Sequence, residues 1–157
     1  MVQFLEIAGA RIPNLGGIKY TASTIWEYQA CLDAAKGAQE ILFGFDEMLL
    51  PALAVGARSA IGSTYSFAAP LYLDVVRAYD AGDMAAARHR MSQLVAMVRV
   101  LLRYPPIPAQ KAIMAHLGHD LGTCRLPLPL LSAEQRAGLI SEMDAIGLWA
   151  MLAGRAD

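Results

Sequence analysis

From Gly16 to about Tyr79 the chain repeats one pattern: a short β-favouring apolar run, a polar turn, then a segment with helical spacing. The runs are GIKYT (17–21), EILFG (40–44) and SAIGST (59–64), and the helical segments are about 24–36, 46–56 and 68–80. Strands alternating with helices at this spacing predict βα units and a parallel sheet. Thr24 and Glu27 stand at capping-box spacing, which predicts a helix start directly after the first strand. Ahead of that strand, VQFLEIAGARIPN (2–14) reads as a helix tail.

Beyond Gly82 the strand pattern stops. Asp83 can cap a long helix whose Met84, Ala87, Met91, Leu94, Val95, Val98, Leu101 and Leu102 fall on one face. YPPIP (104–108) ends it, because proline disfavours helix before it and cannot continue the hydrogen bonding. A shorter helix is expected from about Ala109 to Leu117, stopping at Gly118, and RLPLPL (125–130) reads as an extended connector. Ser132 and Gln135 form a second capping-box pair, opening a last helix over about 133–152. The expected fold is therefore α/β: three βα units within residues 1–81, then three helices within 82–157 packed on the same domain. Three parallel strands alone leave both sheet edges open, and a closed (β/α)8 barrel takes about 250 residues.

Composition narrows the function classes. The net charge of −1 and pI near 6.3 supply no basic field for nucleic acid or anionic lipid. The chain is 56% hydrophobic with a mean hydropathy of +0.38. Its longest apolar runs are nonetheless cut by Asp46, Glu47, Arg58, Asp74 and Arg77, so no membrane span is expected. The N-terminus lacks the pattern of a secretion signal. Cys31 and Cys124 make neither a metal spacing nor a disulfide framework, which suits a reduced, cytoplasmic compartment. The surplus apolar surface is expected to be buried against protein, in this chain or another.

Lys19 is the unusual residue of the first strand. It can be a strand-end lysine whose ammonium reaches water past an apolar stem. It can equally be a nucleophile, kept partly neutral by burial so that it attacks a carbonyl. If Ile18 and Tyr20 pack on helices, strand alternation turns Lys19 and Thr21 to the opposite face. Gly44, Asp46 and Glu47 follow the second strand, and Gly62, Ser63 and Thr64 end the third. Strand C-terminal ends are where α/β active sites assemble. A lysine, two carboxylates and several hydroxyls on one rim suit a carbonyl site that also binds a polyol. Asp46 and Glu47 can alternatively be first-turn residues favoured by the helix dipole. GARSAIGST (56–64) lacks the lysine and glycine spacing of a phosphate loop. His116, His119 and Asp120 straddle Gly118 and read as a surface helix terminus, so no metal is expected.

GGIKYTAST (16–24), ILFGFDEMLLPALAVGARSAIGSTYS (41–66) and PAQKAIMAHLGHDLGTCRLPLPLLS (108–132) resemble the C-terminal half of the N-acetylneuraminate lyases, within the dihydrodipicolinate synthase superfamily. GSTY and FGFDE lean toward the sialic acid lyases. The resemblance implies the last three βα units of a (β/α)8 TIM barrel followed by three C-terminal helices, commonly in a tetramer. It implies a Schiff-base aldolase without a cofactor, cleaving or forming a C–C bond between pyruvate and a sugar aldehyde. Lys19 matches the imine-forming residue, and Thr21, Gly44, Asp46, Glu47 and Ser63 match positions that hold the sugar's hydroxyls. The family's first five strands, its pyruvate-carboxylate loop and its proton-shuttling tyrosine have no counterpart in the sequence. The resemblance therefore also implies a homo-oligomer, or a partner chain that supplies the other half-barrel. Two alternatives follow: an inactive truncated fragment stabilised by self-association, or a sister aldolase acting on another 2-keto acid.

Overall fold

A computed structural model describes residues 1–154; the last three positions of the expected helical extension, 155–157, lie outside the described residues. The chain opens with α1 (Val2–Arg11), followed by β1 (Gly17–Tyr20), α2 (Ile25–Ala35) and β2 (Glu40–Phe43). The two strands pair in parallel, Gly17 opposite Glu40 through Tyr20 opposite Phe43. The Gly44 N–H extends the ladder by donating to the Tyr20 carbonyl at 2.8 Å. The helical crossover between the strands is what a parallel pair requires.

The expected third strand is reduced to one parallel bridge between Phe43 and Ala60. Phe43 N–H donates to the Ser59 carbonyl and Ile61 N–H to the Phe43 carbonyl, at 3.1 and 2.8 Å. Gly62 and the buried Thr64 then turn the chain into a helix, so the pairing stops after one residue. The order β1–β2–Ala60 keeps all three strand ends on one side. The segment after β2 also differs from a single helix: Asp46–Met48 form a 3₁₀ turn, and α3 covers only Leu49–Ala54. α4 (Tyr65–Asp80) starts three residues earlier than its periodicity predicts.

In the C-terminal part, α5 (Met84–Leu101) is capped as expected, with Ala86 N–H donating to Asp83 Oδ1 at 2.9 Å. α6 (Pro106–His116) starts at the second proline of YPPIP rather than after it. A proline in the first helical turn gives up an N–H that has no intrahelical partner there. The Ser132–Gln135 capping box forms in full and opens α7 (Ala133–Ala145). Gly147, at φ +76, then breaks the expected last helix, and α8 (Leu148–Ala153) follows. The extension thus holds four helices among the described residues rather than three. None of the described helices is long and apolar enough to cross a membrane.

Two hydrophobic clusters carry the packing. The smaller joins Leu5, Tyr20, Tyr28, Cys31, Ile41 and Phe43, tying the sheet to α1 and α2. The larger runs from Leu49 and Leu50 through α4 and α5 to Leu139, Met143 and Leu148. They meet at α3, whose Leu49 and Leu50 face one while Ala52 faces the other.

Candidate active site

Strand alternation decides where Lys19 goes. Tyr20 is 2% exposed and packs its ring 5.4 Å from Tyr28, which lies 4.9 Å from Phe43. The Tyr28 hydroxyl donates to the Ile41 carbonyl at 2.9 Å, fixing α2 against β2. With Tyr20 committed to that core, Lys19 and Thr21 are turned to the open face of the sheet, where both are exposed. Among residues 1–154 this exposure fits a strand-end lysine that reaches water, and the burial invoked for a partly neutral nucleophile is not supplied by these residues.

Tyr20 also explains why the Thr24–Glu27 capping box does not form. Its hydroxyl lies 2.9 Å from the Thr24 carbonyl and 3.0 Å from Glu27 Oε2, two acceptors that share its single proton. Glu27 Oε1 accepts from the Met1 ammonium at 3.1 Å, so both carboxylate oxygens are engaged outside the capping box. Burial, with the Glu27 hydrogen bond and charge adding, pushes the Tyr20 phenol up to about 12. The Met1 ammonium and the Tyr20 hydroxyl hold the Glu27 carboxyl below the usual range.

Gly44 closes the space beside the lysine. A Cβ built on it would lie 2.2 Å from Thr21 Oγ1 and 2.8 Å from Lys19 Cε. With Thr21 and Lys19 in these positions there is no room for a Cβ, so the glycine lets the two groups approach the end of β2. The structure brings Lys19, Thr21 and Gly44 together at this strand end.

Asp46 is committed to a buried network with Thr64. It is 6% exposed, and its Oδ2 accepts from Thr64 N–H at 2.9 Å and from Thr64 Oγ1 at 2.6 Å. Thr64 Oγ1 in turn lies 2.8 Å from the Tyr72 hydroxyl. A Cβ on Gly62 would fall 1.3 Å from Asp46 Oδ1, so the glycine makes room for the carboxylate. This network pins the 62–65 turn. Glu47 is half-buried in the 3₁₀ turn beside it. Burial pushes the Tyr65 and Tyr72 phenols upward; the charges of Asp46 and Glu47 reinforce this, while the Thr64 hydrogen bond opposes it at Tyr72.

Ser63 stands exposed at the top of the pinned turn, and its Oγ accepts from Gln110 Nε2 at 2.9 Å. Sequence reasoning missed Gln110 and Tyr72. Gln110 lies 47 positions from its partner and carries no motif, and Tyr72 reads as one more helix aromatic. The His116 ring lies 4.4 Å from that of Trp149.

The sequence profile described as the Dihydrodipicolinate synthetase family matches residues 5–146. The chain belongs to that family. It is 36% identical to the N-acetylneuraminate lyase of Lactiplantibacillus plantarum over 126 residues, 80% of this chain and 43% of that protein. It is 33% identical to the 4-hydroxy-tetrahydrodipicolinate synthase of Synechococcus elongatus, over 89% of this chain and 47% of that one. The fold superposes on the N-acetylneuraminate lyase of Proteus mirabilis with a TM-score of 0.88 and 41% identity, over 93% of this chain and 50% of that chain. The enzyme from Aliivibrio salmonicida gives the same TM-score at 42% identity. Among these dihydrodipicolinate synthetase relatives the chain therefore spans about half of each protein's length. The α/β fold of the described residues is similar to about half of each of these two lyases.

Proposed function

We propose that this chain supplies the imine-forming half of a Schiff-base aldolase site that joins or separates pyruvate and a polyhydroxy aldehyde. The observation that carries the reading is the placement of Lys19. Its side chain stands on the open face of the sheet with Thr21, and both converge on Gly44 at the strand end. In the proposed reaction the neutral Lys19 amine attacks the keto carbon of pyruvate or of an open-chain 2-keto sugar acid, and water leaves. As the bond between C3 and C4 breaks, the C4 hydroxyl gives up its proton, the electron pair of the bond moves into the protonated imine to leave an enamine, and the aldehyde departs. Protonation of the enamine at C3 and hydrolysis of the imine then free pyruvate and the Lys19 amine. For sialic acid the products are pyruvate and N-acetylmannosamine.

Thr21 and the bare backbone at Gly44 line the space around the new imine. Ser63 offers its hydroxyl to the sugar, Asp46 holds the turn that carries Ser63, and Glu47 stands beside that turn. The proton shuttle and the groups that bind the keto-acid carboxylate come from polypeptide beyond the described residues. The outer edge of β1, which pairs with β2 on one side only, is where further sheet would attach. The two N-acetylneuraminate lyase structures at 41% and 42% identity favour a sugar aldehyde as partner.

The test is pyruvate followed by borohydride on the full chain, with peptide mapping of the product. The lysines are Lys19, Lys36 and Lys111. The expected result is a reduced pyruvyl adduct on Lys19 alone, absent from Lys19→Ala. An unlabelled Lys19, or label spread equally over the three lysines, refutes the reading and leaves a non-catalytic member of the family.

A further inference from the structure

We infer that Gln110, carried by the helical extension, is a specificity-determining residue of the site and that the group it selects is a vicinal diol. The inference rests on the aldolase reading and extends it to the acceptor end. Gln110 Nε2 donates to Ser63 Oγ at 2.9 Å, on the rim where the strand ends gather. A serine oxygen has one O–H and two lone pairs. With one lone pair taken by Gln110, the Ser63 O–H is left free to donate away from α6. Gln110 keeps a second N–H and its Oε1, so the pair presents two donors and two acceptors side by side. Adjacent hydroxyls of an open-chain sugar match that set, because each offers one donor and an acceptor.

Both partners are held from behind. The Ser63 turn is pinned by the two hydrogen bonds from Thr64 to the buried Asp46 carboxylate, with Tyr72 backing Thr64. Gln110 sits between the fully buried Ala109 and the buried Ala112 and Ile113, which lock α6 in the larger cluster. A donor–acceptor pair on two fixed supports loses little freedom when a ligand binds. A site built to hydrogen-bond hydroxyls discriminates against analogues that lack them, since its polar groups are then left unpaired. The extension is in this way part of the site and not only a support for it.

The test uses the full chain carrying Lys19→Ala, in which imine chemistry is silent, with N-acetylmannosamine as the probe. Binding is followed by the Gln110 side-chain amide resonance, identified by its loss in Gln110→Leu, and by backbone shifts around Ser63. The expected result is a saturable shift of that resonance and a dissociation constant raised about fivefold or more by Gln110→Leu. Ser63→Ala added to Gln110→Leu is expected to weaken binding little further, since the two act as one unit. Unchanged affinity in Gln110→Leu overturns the inference, as does the absence of saturable binding to the parent. Gln110→Glu, which keeps the acceptor and the side-chain length, replaces Gln110→Leu if the latter does not fold, and is expected to weaken binding in the same direction. Borohydride trapping on unaltered Lys19 reports the imine reading separately, so failure of one is distinguishable from failure of the other.

Discussion

Asp46 turns two segments 18 residues apart into one fixed corner through a single oxygen that accepts both Thr64 bonds. Removing it leaves the buried Thr64 N–H and hydroxyl without their acceptor. Asp46→Ala is expected to destabilise the chain by roughly 1–3 kcal/mol, read as a lower urea midpoint. Asp46→Asn, which retains a carbonyl oxygen at that point, is expected to recover most of the loss. At this scale the sequence was legible where the cause is local. The facing of Lys19 and Thr21 follows from the residues on either side of them, because alternation along a strand needs no distant partner. The role of Asp46 as an anchor was not legible, since a carboxylate after a strand reads the same whether it faces a ligand or a threonine hydroxyl. The bond from Gln110 to Ser63 was further out of reach, spanning 47 positions.

Helix ends show the same division among elements. Ser132 and Gln135 form their reciprocal box because nothing else competes for either side chain. Thr24 and Glu27 have the same spacing, yet Tyr20 and the Met1 ammonium draw Glu27 away. Ser132→Ala is therefore expected to cost about 1 kcal/mol, and Thr24→Ala to stay within about 0.5 kcal/mol, both measured by denaturant unfolding. The motif spells a possibility, and tertiary neighbours decide whether it is used. The lost third strand has a comparable origin. SAIGST has strand character, but the turn held by Asp46 pulls the chain into α4 after a single bridge. Prolines misled in the opposite sense: those at 106 and 108 lie inside the first turn of α6, a place where proline is at ease. Gly147 needs a left-handed φ, and a helical apolar pattern carries on through it without a sign.

At the scale of the whole molecule, the lysine-bearing strand and the bulk of the core belong to different clusters. Tyr20, Tyr28 and Phe43 are buried in the smaller one, with α1 and α2, while α4 through α8 share the larger. Protection against solvent exchange follows the local density of buried apolar contacts and the coverage of backbone hydrogen bonds. The amides of Tyr20 and Phe43 are therefore expected to exchange faster than those of Leu94 and Met97, by native-state hydrogen exchange. Equal protection would mean that both clusters open as one unit. Partial release of the sheet layer scatters Lys19, Thr21 and Gly44 while leaving the helical bundle folded. On warming, the carbonyl trapping proposed for Lys19 is then expected to fade before the helical signal does, which would tie that trapping to a local opening equilibrium and not to the melting of the chain.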